Sequence, residues 1–184
     1  MTDVVLEVQN LRKVFELPRP FFDAMRRRPA QKLVAVDGVS FKVNRYETLG
    51  LVGESGCGKT TLGRCILRLY EPSEGRIFFE GEDITHKPES EMRAIRRRMQ
   101  VVLQDPYSSI NPRLTVRQTL TEVLRFHKIC PPEEEEQRLR QLLHMVGLNY
   151  EDANKYPRAF SGGQRQRIGL ARALAVQPTF LVAD

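Results

Sequence analysis

The stretch "LVGESGCGKTT", Leu51 to Thr61, decides how the rest of the chain is read. Gly53, Gly58, Lys59 and Thr60 satisfy the spacing G-x-x-x-x-G-K-[ST], in which a loop wraps a polyphosphate closely enough for successive backbone N–H groups to point at oxygen. Glycines at 53, 56 and 58 suit that close approach, because a side chain there would stand between the backbone and the anion. Glu54, Ser55 and Cys57 fill the variable positions of the cup, Cys57 being read as a small residue tolerated there. Lys59 supplies a point charge to the β- and γ-phosphates, and the Thr60 hydroxyl is placed to ligate Mg²⁺. Thr61 falls on the α-phosphate side.

Working outward, the flanks match what such a loop requires. "ETLGLVG" at 47–53 reads as a short buried strand feeding the glycines. Behind the loop, Leu62, Cys65, Ile66 and Leu69 recur at i, i+3, i+4 and i+7, one apolar stripe on a helix that ends at the "EPSEG" turn. The segments 4–15 and 33–43 carry the Val, Leu and Phe content of half-buried strands, and 76–84 reads as a hairpin turning near Glu80-Gly81-Glu82. Between the first two strands, three prolines and Arg26-Arg27-Arg28 mark a long exposed loop. "QVVLQDP" at 100–106 is a further buried strand. Pro131-Pro132 open a helix with Glu133 to Glu136 in its first turn, where acids suit the helix dipole. Its buried face is Leu139, Leu142, Leu143 and Val146, and Gly147 caps it. A last helix spans about 162–176, and "FLVA" at 180–183 is a strand ending on Asp184.

Strands interleaved with helices, in runs apolar enough to be covered on both faces, predict an α/β domain around a mainly parallel core sheet. The length of 184 residues and 41% hydrophobic content suit one such domain. No run approaches a membrane-spanning length, and the N-terminus lacks a signal-peptide pattern, so the chain reads as cytosolic. Cys57, Cys65 and Cys130 are an odd set without a CxxC pair and are expected to be thiols. The net charge of +6 is compatible with nucleic acid, an acidic membrane or a polyanionic small molecule, and does not choose among them.

"AFSGGQRQRIGLARAL" at 159–174 narrows the class. Ser161 is a good N-cap, Gly162 and Gly163 leave the first amides bare, and Arg165 and Arg167 follow, making a second helix terminus suited to an anion. The order of the 51–61 loop, Gln104 in "VVLQDP", "FSGGQRQR" and "FLVAD" resembles the ATP-binding subunits of ABC transporters along essentially the whole chain. "RRRMQVVLQDPYSSINPR" and "YPRAFSGGQRQRIGLARAL" look like the oligopeptide/dipeptide importer branch.

The resemblance implies an α/β P-loop NTPase of the ABC ATPase type. It has an N-terminal antiparallel β subdomain and P-loop core over 1–106, a helical subdomain over 107–165 that docks on a transmembrane partner, and the signature helix and Walker B strand over 166–184. It makes Gly53 to Thr61 the Walker A loop, Gln104 the glutamine sensing Mg²⁺ and γ-phosphate, and Ser161, Gly162, Gly163 and Gln164 the signature motif that acts in trans. Asp184 becomes the Walker B aspartate and Phe15 the aromatic that stacks on adenine. Lys59 and Gln104 carry catalysis. Thr60, Gln104 and Asp184 are the metal set, and the cofactors are ATP and Mg²⁺.

Partners follow in the same way: a second ATP-binding subunit paired head to tail, transmembrane permease subunits, a solute-binding protein indirectly, and no nucleic acid. The expected location is cytoplasmic, peripheral on the inner face of the membrane. The alternatives are a regulatory ABC ATPase not coupled to transport and a DNA-associated ABC ATPase. The family places a catalytic Glu directly after the Walker B Asp, then a D-loop and a switch His, none of which lies within residues 1–184. The expectation is therefore an N-terminal fragment, lacking the C-terminal part of the fold, that binds nucleotide without hydrolysing it efficiently. Ala159 stands where relatives often carry an acid, which bears on coupling to the membrane partner.

Overall fold

The computed structural model describes residues 3–17, 31–102 and 110–184. The proline-rich segment and Gln104 lie outside them. The chain divides into two compact units, 1–94 and 95–184, and each is described by itself.

In the first unit, β1 (Val4–Glu16), β2 (Lys32–Asn44), β3 (Glu74–Phe79) and β4 (Glu82–Asp83) form an antiparallel sheet in the order β2-β1-β3-β4. Leu6 pairs with Phe79 and Val8 with Ile77, and all four side chains are buried. Cross-strand apolar pairs of this kind are what hold a sheet's register. The hairpin expected near Glu80-Gly81 is present between β3 and β4.

Helix α1 (Lys59–Ile66) lies against β1 and β2 with Leu62, Cys65 and Ile66 buried. Burial pushes the Cys65 thiol above its ordinary value, and all three cysteines are free. The helix is shorter than its stripe predicts, and Leu69 is half exposed. Its end is a Schellman turn: Leu69 N–H donates to the Arg64 carbonyl at 2.9 Å and Arg68 N–H to that of Cys65 at 2.9 Å. The left-handed position is held by Arg68, φ 54°, where glycine is usual.

Arg68 is buried, and its Nε donates to the Ile84 carbonyl at 3.0 Å, so contacts with the β-hairpin offset the unfavourable backbone. Arg68→Ala keeps the strained φ and loses those bonds, so the unfolding free energy should fall by about 2–3 kcal/mol. Arg68→Gly should lose about 1 kcal/mol less, because glycine accepts the left-handed turn. Urea unfolding midpoints of the two variants check the order.

The strand expected over 47–53 is not formed. A strand needs a ladder partner, and none of the described strands pairs with this segment. Leu49, Leu51 and Val52 are consequently exposed instead of buried, Val52 to 99%.

Helix α2 (Glu89–Arg98) runs across the division between the units and leads into β5 (Met99–Val102). In the second unit β5 pairs in parallel with β6 (Phe180–Ala183), and parallel pairing among the described strands is confined to this pair. Three helices accompany it: α3 (Val116–Phe126), α4 (Glu135–Met145) and α5 (Gly162–Ala175). Val116, Leu120, Leu139, Leu143, Ile168 and Ala171 form their common core.

Helix α3 has no counterpart in the periodicity reading, although Thr115 and Gln118 form a capping box that is legible as T-x-x-Q. Helix α4 buries Leu139, Leu142 and Leu143 as its spacing predicts. Gly147, φ 68°, closes α4: its N–H donates to His144 O at 3.0 Å, and Leu148 N–H to Leu143 O at 2.9 Å.

The glutamate run is a helix start, as expected, with one 3-10 turn at Pro132–Glu134 before α4. Glu135 turns inward. Its carboxylate accepts from Arg125 Nε at 2.8 Å and from the same guanidinium's Nη2 at 2.7 Å, which holds the acid below the ordinary carboxylate value near 4.5. A carboxyl more acidic in the folded than in the unfolded state adds stability above its unfolded pKa and loses it as pH falls through the folded one. Glu135→Gln should therefore be less stable than the wild type at neutral pH, with the gap closing through the acid range. Chemical unfolding at stepped pH reads both.

Candidate functional site

The first unit assembles the loop and its surroundings. Gly58 precedes α1 with φ 99°, and a Cβ built on it presses into the backbone carbonyl of Ala35 on β2. Two independent restrictions, a left-handed backbone and no room beside a main-chain oxygen, thus demand glycine here. Gly56, φ 82°, faces open space, so it answers only to the backbone. At Gly53 a Cβ would come 2.6 Å from Cys57 Sγ, an atom that can rotate aside. The three glycines expected to act alike therefore differ in what enforces them.

Lys59 opens α1 and folds back over the loop. Its ammonium donates to the carbonyl oxygens of Gly53 and Glu54, both at 2.7 Å, and lies 3.5 Å from Cys57 Sγ. The lysine is thus held at the mouth of the loop whose phosphates it was expected to meet. The N-cap residue Gly58 offers no side-chain cap to α1, whose start is the positive end of the helix dipole. Thr60 and Thr61 are half-buried behind Lys59.

Phe15 comes to the same neighbourhood through strand register. It pairs with Leu33 on β2, two residues from the Ala35 that Gly58 abuts, a separation of about 7 Å along a strand. Its ring is half-buried. The Lys13 ammonium lies 4.9 Å from the ring centroid, and Tyr70 meets the ring edge-to-face at 5.5 Å and 85°. Tyr70 was not singled out in the sequence, where nothing marks a residue 55 positions away as a neighbour of Phe15.

The second unit carries the other predicted residues. Ser161 caps α5 in a reciprocal box: its Oγ accepts from Gln164 N–H at 3.3 Å, while Gln164 Oε1 accepts from Ser161 N–H at 2.9 Å. The Ser161 hydroxyl proton remains able to donate, and a Cβ at Gly162 or Gly163 would meet open space. Arg167, expected to line this helix start, instead donates to the carbonyls of Val146 and Gly147 at 3.4 and 3.3 Å, a cation on the C-terminus of α4. Asp184 extends the parallel ladder beyond β6, its N–H donating to Val102 O at 3.0 Å, and its residue is exposed at the carboxyl end of the pair. Open α/β sheets bind their ligands at that end. Thr60 and Asp184 belong to different units, and among the described residues no group of His, Cys, Asp and Glu is arranged to hold a metal by itself.

A family model described as ABC transporter matches residues 36–184. The chain belongs to the ABC transporter family. Its ABC relatives include the oligopeptide transport ATP-binding protein OppF of Bacillus subtilis, 48% identical over the full chain and covered to 57% of its own length. AppF of the same organism, also an oligopeptide transport ATP-binding protein, is 44% identical over 99% of the chain and 54% of its length. The chain thus spans about half the length of these curated relatives.

Among solved structures, the ATP-binding cassette MJ0796, in a dimeric post-hydrolysis state with ADP and Pi, superposes with a TM-score of 0.80 at 27% identity. That match covers 97% of this chain and 73% of the other. The fold is that of an ABC ATPase cassette. No helix among the described residues is long and apolar enough to cross a membrane.

Proposed function

We propose that this chain binds Mg·ATP in the 53–61 loop and, within the whole protein, serves as the ATP-binding, energy-coupling subunit of an oligopeptide or dipeptide importer. The observation that carries the reading is Gly58, pressed on the Ala35 carbonyl in a left-handed conformation directly before the uncapped start of α1. The glycine lets the loop lie directly on β2 and enter α1 at the positive end of its dipole, which favours phosphate oxygens. The printed descriptions of OppF and AppF supply the peptide branch.

In this reading Lys59 exchanges the Gly53 and Glu54 carbonyls for phosphate oxygens, Thr61 faces the α-phosphate, and Phe15 stacks on the base. Thr60, Gln104 and Asp184 hold Mg²⁺, which when bound neutralises phosphate charge. Ser161 to Gln164 offer a helix start to the nucleotide of a second, head-to-tail subunit, as the dimeric state of MJ0796 suggests. The helical part over 107–165 docks on permease subunits at the inner face of the membrane.

Calorimetric titration of the chain with Mg·ATP tests the nucleotide half, with one molecule bound per chain expected. No heat from folded protein sinks it. Disruption of the complete gene tests the transport half: uptake of peptides undiminished in the disrupted strain overturns the importer assignment.

A further inference from the structure

Phe15 is the least buttressed member of the proposed nucleotide site in sequence terms, yet its ring is fixed in space by a residue to which no role has been given. The turn that ends α1 supplies it. Arg68 in its left-handed conformation reverses the chain, Tyr70 N–H returns to the Arg64 carbonyl at 3.2 Å, and the Arg64 guanidinium donates to the Tyr70 hydroxyl at 2.9 Å. The same guanidinium carbon stands 5.6 Å from the Tyr70 ring centroid. Tyr70 is thus tied by backbone and side chain to the helix that begins at the phosphate loop, and it presents its ring to Phe15 at 5.5 Å and 85°. Lys13 takes another approach to Phe15 while donating to the Glu71 carbonyl at 2.7 Å, next to Tyr70.

We infer that Tyr70 is a positioning residue for the base of the bound nucleotide: clamped to α1 by Arg64, it sets the plane of the Phe15 ring relative to the phosphate loop. This rests on the reading of Phe15 as the base-stacking aromatic. Because α1 starts at Lys59 and ends at the turn carrying Tyr70, one rigid element fixes both the phosphate end and the orientation of the base platform. An edge-to-face pair loses its preference when one ring is removed, and Phe15 is then free to rotate away from a stacked base.

The test compares ATP with inorganic tripolyphosphate, which has the charge and lacks the base, on the wild-type chain and on Tyr70→Ala, Tyr70→Phe and Phe15→Ala. Tyr70→Ala is expected to weaken ATP binding about three- to tenfold and to leave tripolyphosphate within about twofold of wild type. Tyr70→Phe, which keeps the ring edge and the backbone tie to Arg64 but loses the hydroxyl that the guanidinium bonds, should recover most but not all of the ATP affinity, a rescue that a purely structural role would not tie to the base.

If Phe15→Ala weakens ATP while Tyr70→Ala does not, the positioning role is overturned and the stacking reading stands. If Phe15→Ala also leaves ATP unchanged, the stacking reading itself falls and the inference with it. Equal losses for ATP and tripolyphosphate in Tyr70→Ala would make the residue a support of the loop and likewise overturn the inference. Should Tyr70→Ala fold poorly, Tyr70→Leu, which preserves apolar bulk without an aromatic edge, carries the same comparison.

Discussion

Lys59→Ala loses Mg·ATP affinity by about thirtyfold to a thousandfold or more, to the point where titration yields no measurable heat. Removing one partner of a close charge pair costs about 2–5 kcal/mol, and each 1.4 kcal/mol is a factor of ten in affinity. In the free loop the ammonium bonds two carbonyls at 2.7 Å, bonds that are given up when phosphate oxygens replace them, so the loss on truncation comes from the phosphate contact. Lys59→Arg keeps the charge but replaces a compact ammonium with a planar fork of different shape, so binding should return only in part. Wild-type affinity in Lys59→Ala would remove the phosphate role from this loop.

Gly58→Ala is expected to be the most damaging single change to the loop. The new methyl group meets the Ala35 backbone oxygen on β2, which cannot rotate aside, and the residue must also hold φ 99°. Left-handed backbone alone costs about 1–3 kcal/mol for a non-glycine residue. The clash brings the expected loss of stability to about 3 kcal/mol or more, within the range that named steric causes produce. Nucleotide binding should vanish with it, since either α1 or β2 has to move. Gly56→Ala is the control: its φ of 82° is strained but its Cβ meets nothing, so about 1 kcal/mol is lost. Equal denaturation midpoints for the two variants would mean that the Ala35 contact does not constrain the loop.

Much of the fold was legible because its signals are local. The α4 segment declared itself through its leucine spacing, its acidic start and Gly147, and α5 through Ser161 and its glycines; each instruction lies within a few residues of the structure it specifies. The hairpin at Glu80-Gly81 and the strand before Asp184 were readable for the same reason. Helix α3 was missed although its signals are equally local: Thr115 and Gln118 bond each other's backbone, and Val116, Leu120, Val123 and Leu124 recur at i, i+4, i+7 and i+8. The segment 47–53 shows the limit: Leu49, Leu51 and Val52 have strand composition, yet strand formation depends on a ladder partner that composition does not name.

The residues 51–61 by themselves determined that a phosphate-type loop precedes a helix, because glycine spacing and a following lysine are properties of consecutive backbone and need no distant contact. The sequence likewise determined the family, which the match over 36–184 bears out. Only the tertiary structure decided what enforces each glycine, that Arg167 holds the end of α4, that Arg68 occupies a position normally given to glycine, and that Tyr70 stands at the edge of Phe15. These depend on pairs such as Gly58 with Ala35, or Phe15 with Tyr70, which strand register and the course of a helix bring together. Linear spacing carries no information about them, since the contact arises when separate elements bury their apolar faces against one another.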